Sequence, residues 1–329
     1  MRLTILAAGA WGTALAVALG SRHEVVLWAR DAAAVRDMRE TRENRRFLPG
    51  IALPASVRVD DDLAASANRA DLLIAAAPLA GLRGVLRRLR ETGAAAPLLW
   101  VCKGFEPGSG KLPHQVAAEE LGEGIACGAL TGPSFAEEVA RGLPAAITLA
   151  SRDGEFARRA AAGLHGGRLR IYANDDLIGA ETGGAMKNVM AIAAGISDGL
   201  GFGHNARAAL MTRGLAEITR LGVALGGQPG TFMGLAGMGD LLLTCAGDLS
   251  RNRRVGLALA AGKPLPRILA ELGHVAEGVG AAREAAALAR RLAIDMPITQ
   301  AVDAILHRGE SAADAVEKLL GRDPKTESI

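Results

Sequence analysis

The chain of 329 residues is half apolar, 22% charged and only 3% aromatic, with a formal net charge of +3 at pH 7. That length accommodates two domains with a large core of mainly aliphatic side chains, and that charge excludes both a disordered polyelectrolyte and a nucleic-acid partner held by a basic surface. Three cysteines, Cys102, Cys127 and Cys245, lack metal-site spacing and cannot close a full disulfide framework, so a reduced, cytoplasmic setting without a metal is expected.

The N-terminal stretch RLTILAAGAWGTALA has the apolar character of a secretory signal. Trp11 and Gly12 interrupt it, however, and a second apolar strand follows. It reads instead as a strand over 2–6, a glycine turn and a helix. Further strands are expected over 24–29, 56–59, 71–77, 97–102, 125–130, 145–150 and 169–173. Amphipathic stretches separate several of them, such as LAGLRGVLRRLRETG, where Leu82, Val85, Leu86 and Leu89 recur at helical spacing. Apolar strands without alternation, divided by helices, predict βαβ units and a parallel sheet covered on both faces.

Beyond Asp175 only helices are expected, in DLIGAETGGAMKNVMAIAAGISDGL, ARAALMTRGLAEITRLGVALG, VAEGVGAAREAAALARRLA and PITQAVDAILHRG. The prediction is an α/β chain: an N-terminal Rossmann-type doubly wound domain over 1–180, then an all-helical C-terminal domain over 181–329. The boundary falls within 174–190, and the polar tail GRDPKTESI is expected to fray. No uninterrupted apolar run reaches the ~20 residues that a membrane-spanning helix needs.

A strand that turns into a helix aims unpaired N–H groups and the positive dipole end at a pyrophosphate. Ala7, Gly9 and Gly12 occupy the three positions of that fingerprint. Gly9 stands where a side chain would collide with phosphate, and Gly12 where helix and strand pack closely. Ala7 replaces the first glycine, which requires a negative φ there or a slightly relaxed turn. Between two strands the pattern reads as a dinucleotide site, with an ordinary βα turn as the alternative. After the second strand, Arg30 suits a 2′-phosphate and Asp31 a ribose hydroxyl, so NADP(H) is favoured and NAD(H) stays open.

Ligands of open α/β sheets bind beyond the carboxyl ends of the strands. Lys103, in VCKGF, lies there and is either solvated or functional. TGPSFAEEV puts Gly132, Ser134 and Ala136 between a strand and a helix, with Ser134 expected as the cap. In the helical half, Met186, Val189, Met190 and Ile192 surround Lys187 and Asn188. Lysine is seldom buried as mere structure, and desolvation that lowers its pKa suits proton transfer. Asp240 lies among apolar residues and glycines, either as a helix cap or as the partner of a lysine. Ser250, Arg251 and Asn252 offer a hydroxyl, a guanidinium fork and an amide, a set fitted to phosphate. Arg253 and Arg254 read as a solvated face. His23, His114, His165, His204, His274 and His307 are expected in loops or on polar helix faces, with no triad or metal partner.

In order, GAWGTALA, FLPGI, CKGFE, TGPSFAEEV, GGAMKNVMAIAAGISDGLGFGHNARAALMTRGLAEI, GLAGMGDLLLTC, SRNRRVG and VAEGV span nearly the whole chain. Together they resemble the soluble bacterial-type glycerol-3-phosphate dehydrogenases that use NAD(P). The resemblance implies reversible reduction of dihydroxyacetone phosphate to sn-glycerol 3-phosphate, feeding phospholipid synthesis, by a cytoplasmic homodimer. It implies Lys187 as the proton acceptor in the alcohol-oxidising direction. It implies substrate contacts from Lys103, Gly132, Ser134, Lys187, Asp240, Ser250, Arg251 and Asn252. Cofactor contacts fall on Ala10, Trp11, Arg30, Lys103, Ala136, Arg251, Val275 and Glu277, beside Gly9 and Gly12 of the turn. Two lysines near one site would each lower the other's pKa.

The chain departs from the family pattern at Ala7, just before Lys187 in ETGGAMKN, and in IAAAPLAGL, where Leu79 replaces a small polar residue expected to line the nicotinamide side. Two other readings stay open. One is a Rossmann dehydrogenase of a hydroxy acid, whose carboxylate asks for anchors other than SRNRR. The other is a cofactor-binding sensor without turnover, against which Lys187 speaks.

Overall fold

The structure, a computed structural model, describes residues 1–273 and 275–323, so His274 and the end of the polar tail lie outside the described residues. The chain divides into two compact units, Met1–Lys103 with Pro113–Leu177, and Gly104–Leu112 with Ile178 onward.

The strands of the first unit are β1 (Arg2–Leu6), β2 (Glu24–Trp28), β3 (Val57–Asp60), β4 (Leu72–Ala75), β5 (Leu98–Trp100), β6 (Cys127–Thr131), β7 (Ala145–Ala150) and β8 (Leu169–Asn174). Its helices are α1 (Ala10–Gly20), α2 (Ala32–Thr41), α3 (Leu63–Asn68), α4 (Leu79–Glu91), α5 (Pro113–Leu121), α6 (Ala136–Ala140) and α7 (Gly154–Leu164). Every predicted strand forms. The eight make one sheet in the order β3-β2-β1-β4-β5-β6-β7-β8. Helices start where the sequence supplies caps: Asp31, Asp62 and Asp153 accept the first free N–H groups of α2, α3 and α7.

The sheet is not wholly parallel, against the expectation of a parallel sheet. From Thr131 to Ala145 the connection holds only the five-residue α6. Its rise of about 7.5 Å cannot carry the chain back along a strand of about 17 Å. β7 therefore pairs antiparallel to β6, with Thr131 opposite Thr148. The eleven-residue α7 is long enough for a crossover, and β8 runs parallel to β7. Leu3, Ile5, Leu27, Ile74, Leu99 and Ile147 fill the sheet core, where Leu15 and Leu19 of α1 join them. The strand order reverses between β1 and β4, the switch point at which ligands of such sheets bind.

The second unit is helical: α8 (Leu177–Gly199), α9 (Gly203–Ala224), α10 (Pro229–Phe232), a π-helical turn over Leu235–Gly239, α11 (Asp240–Ala246), α12 (Arg251–Ala260), α13 (Leu265–Leu272), α14 (Glu277–Arg291), α15 (Pro297–His307) and α16 (Ala312–Leu320). α8 is its core helix, with Met186, Val189, Met190 and Ile192 wholly buried. Glycines let neighbours approach α8 at backbone distance. A Cβ on Gly183 would lie 2.5 Å from the Ala236 carbonyl oxygen, and one on Gly256 would lie 2.1 Å from that of Ile192. Gly104–Leu112 packs with this unit through Phe105 and Leu112, and the Gly108 N–H donates to Glu284 Oε1 at 2.9 Å.

Candidate active site

In the first unit, β1 passes into α1 through Ala7, Ala8 and Gly9. Ala7 takes a φ of 89°, so of the two alternatives the negative φ is excluded. Its neighbours hold it there: the Ala7 N–H donates to the Trp28 carbonyl at 3.0 Å, and Gly12 packs against its oxygen. A Cβ on Gly12 would stand 2.2 Å from that oxygen, whereas one on Gly9 would meet nothing within 4 Å. Gly12 thus serves packing, and Gly9 leaves the outer face of the turn open. The Thr13 N–H opens the helical ladder on the Gly9 carbonyl at 2.9 Å. The preceding N–H groups, on Ala10, Trp11 and Gly12, stay outside that ladder. No acidic residue lies in this first turn, and α6, which begins at Ala136, packs against α1.

Arg30 is exposed just after β2, while Asp31 is committed to the cap of α2, accepting from Ala33 N at 2.9 Å and Ala34 N at 3.3 Å. Lys103, half-buried after β5, donates through Nζ to the Gly132 carbonyl at 3.2 Å, and Ser134 Oγ donates to the same oxygen at 3.1 Å. Lys103, Gly132 and Ser134 therefore converge. Ser134 is not the helix cap. Phe135 takes that place, leaving Ser134 too early to reach the first free N–H groups, so its hydroxyl turns back. Leu79 packs inward at the start of α4 with Leu82 and Leu86, at 4% exposure, because the apolar face of that helix begins with it.

In the second unit, Lys187 Nζ lies 2.5 Å from Asp240 Oδ1, with side-chain exposures of 11% and 0%. Asp240 is not a helix cap but the first residue of α11, delivered by the π-helical turn that Gly183 admits against α8. The carboxylate balances and orients the ammonium. Ser250 caps α12, accepting from Arg253 N at 3.3 Å, and Arg251 is exposed beside it. Asn252 is buried and bridges two helices. Its Nδ2 donates to Asn188 Oδ1 of α8 at 2.9 Å, and its Oδ1 accepts from Gly278 N of α14 at 3.0 Å. That bond anchors the start of α14, where Glu277 and the exposed Val275 lie.

Two further expectations fail. Arg253 is not a solvated face: it pairs with Asp198 at 2.8 Å and Asp248 at 2.9 Å, and Arg207 reaches Asp198 at 2.7 Å. Periodicity cannot show this, because the carboxylate that recruits Arg253 lies on α8. Arg254 is exposed as expected. His114 is not on a polar face but buried in α5 at 9% exposure, because that helix is covered by α4. Burial pushes the Cys245 thiol up to about 12, so it is no nucleophile near neutral pH. Sequence reasoning also passed over Asn44, Glu217 and Asp198, whose partners lie far along the chain.

A family model described as the NAD-dependent glycerol-3-phosphate dehydrogenase N-terminus matches residues 2–157, and its C-terminal counterpart matches residues 176–317. A glycerol-3-phosphate dehydrogenase using NAD(P)+ from Dechloromonas aromatica is 63% identical, over 99% of both chains. One from Aromatoleum aromaticum is 60% identical over 99% of this chain and 100% of its own. The crystal structure of a glycerol-3-phosphate dehydrogenase from Coxiella burnetii superposes with a TM-score of 0.92 at 42% identity, covering 98% of this chain and 99% of the other. The chain belongs to this family, and it is an NAD(P)-dependent oxidoreductase.

Proposed function

We propose that the chain reversibly reduces dihydroxyacetone phosphate to sn-glycerol 3-phosphate, with residues 1–180 as the NAD(P)-binding domain and residues 181–329 as the substrate-binding domain. The observation that carries this reading is the Lys187–Asp240 pair, 2.5 Å apart and almost wholly buried, in a chain of this family. Bound NAD(P)H supplies the hydride for the carbonyl carbon. Lys187 gives a proton to the carbonyl oxygen during reduction and takes it from the hydroxyl during oxidation. Asp240 holds the ammonium in register and offsets its charge, because an unpaired charge at such depth costs about 3–5 kcal/mol. Arg251, exposed at the start of α12, offers a planar fork to the phosphate. Lys103, Gly132, Ser134, Ser250 and Asn252 complete the substrate contacts.

Gly9, Ala10, Trp11 and Gly12 hold the cofactor pyrophosphate at the start of α1. Further cofactor contacts come from Arg30, Lys103, Ala136, Arg251, Val275 and Glu277. The exposed Arg30, beside an Asp31 spent on a helix cap, supports NADP(H) over NAD(H). The enzyme works in the cytoplasm as a homodimer and supplies phospholipid synthesis. No single helix among the described residues is long and apolar enough to cross a membrane.

The test mixes purified protein with NADPH and dihydroxyacetone phosphate, follows the nicotinamide absorbance, and repeats the run with NADH. Rapid oxidation of NADPH is expected, slower with NADH, and reduced about 100-fold or more in Lys187→Ala. NADPH binding without substrate-dependent oxidation overturns the enzyme reading in favour of a sensor. Equal turnover by Lys187→Ala moves the proton donor elsewhere.

A further inference from the structure

The FLPGI stretch takes no part in the proposed reaction, yet the segment around it forms a clasp on the glycine turn. α2 ends at Arg42, whose guanidinium donates to the carbonyls of Pro54 and, at 2.9 Å, Val57. Glu43 bridges antiparallel to Ala52, and its carboxylate accepts the Gly50 N–H at 2.7 Å. Leu48 and Leu53 are buried beneath the loop. Inside this frame lies Asn44, 4% exposed. Its Nδ2 donates to the Ala8 carbonyl at 2.8 Å and to Thr13 Oγ1 at 2.7 Å, while its Oδ1 accepts the Phe47 N–H at 3.2 Å. Both amide donors and the carbonyl are engaged, so the side chain has one orientation.

Ala8 is the centre of the turn. In a trans peptide the carbonyl and the next N–H point opposite ways. Holding the Ala8 oxygen on Asn44 therefore turns the Gly9 N–H away from the clasp. A flipped peptide would present an oxygen in its place and repel an anion. The grip on the Thr13 hydroxyl ties the first turn of α1 to the same anchor, since the Thr13 N–H already bonds the Gly9 carbonyl. We propose that Asn44 is a positioning residue for the cofactor, orienting the Ala8–Gly9 peptide so that the turn meets the pyrophosphate with N–H rather than C=O. This rests on the reading of that turn as the cofactor site.

Steady-state kinetics of Asn44→Ala and of the similarly sized Asn44→Asp test the assignment; the latter keeps an acceptor for the Phe47 N–H should the former not fold. Two competitive inhibitors accompany them: ADP-ribose, which carries the pyrophosphate, and adenosine 2′-monophosphate, which does not. In both variants the KM for NADPH and the Ki for ADP-ribose rise about 10- to 100-fold, as expected when both Nδ2 hydrogen bonds are lost. The kcat at saturating NADPH, the KM for dihydroxyacetone phosphate and the Ki for adenosine 2′-monophosphate stay within about threefold. Both KM values rising together, equal weakening of the two inhibitors, or a lowered Tm with an unchanged cofactor KM overturns the proposal. Gly9→Val separates it from the reading beneath it, because this variant fills the open face of the turn. If Gly9→Val still binds NADPH, the turn is not the cofactor site. If Gly9→Val loses binding while neither Asn44 variant does, the role of Asn44 alone is refuted.

Discussion

Replacing Ala7 by glycine tests whether the turn stores strain. At a φ of 89° the Cβ of an L residue crowds the backbone, at a cost of about 1–2 kcal/mol. The turn cannot relax, because the Ala7 N–H is bonded to Trp28 and Gly12 packs against the Ala7 oxygen. Glycine removes the crowding but gives the unfolded chain extra freedom worth roughly 0.5–1 kcal/mol. Ala7 is only half-buried, so the lost methyl subtracts about 0.4 kcal/mol, half the value of a buried methylene. The midpoints of these contributions favour Ala7→Gly by about 0.3–0.4 kcal/mol, which for a unit of this size raises Tm by about 1 °C. Thermal unfolding followed by circular dichroism reads this directly. The KM for NADPH should stay unchanged, because glycine adopts the same φ. A Tm lowered by about 2 °C or more would refute the reasoning, since the methyl would then be worth more than its conformation costs.

Glu217 of α9 accepts Ile298 N at 2.6 Å, Thr299 N at 3.1 Å and Thr299 Oγ1 at 2.8 Å, closing the buried start of α15. Glu217→Ala leaves two buried N–H groups unpaired and should lower the unfolding free energy by about 2–5 kcal/mol, measured in urea; a loss below about 1 kcal/mol would show that water replaces the carboxylate. The Arg2 guanidinium and N–H beside Asp71 hold its carboxyl down at about 2. A depressed carboxylate stabilises above its unfolded value and loses that contribution as pH falls through the folded one. Wild type should therefore be slightly more stable than Asp71→Asn at pH 6, with the gap closing between about pH 4 and pH 2 in urea titrations. A gap constant across that range would exclude the pair as its source.

All eight strands were legible because each is a short apolar run between turn residues, and sheet burial demands little else. The reversal at β7 was not: it depends on the length of α6, which propensity places only loosely. The site divides in the same way. Lys187 stands out as one lysine in an apolar helix, and Asp240 as a carboxylate among glycines. Their pairing depends on a π-helical turn that carries no periodic signal. Ser134 was misread because a cap is defined by where the helix starts, and a shift of one residue reassigns it. Asn44 was invisible because its partners, Ala8 and Thr13, lie more than thirty residues away.

The two units solve one physical problem in different ways. In the helical unit a lysine is buried next to a carboxylate, and Gly183 lets the π-helical turn that leads into Asp240 pack at backbone distance from α8. The neighbouring amide of Asn188 is held by Asn252, which is held in turn by the start of α14. In the sheet unit a residue of unfavourable φ is fixed by bonds to β2 and by packing of α1, while Asn44 fixes the next carbonyl. Both arrangements hold their polar groups in place before any ligand arrives, so little reorganisation is left for the moment of reaction. On the proposed roles of Lys187 and the glycine turn, substitutions at the glycines and amides behind them should weaken function even where they touch no ligand, because they loosen the frame that holds those groups.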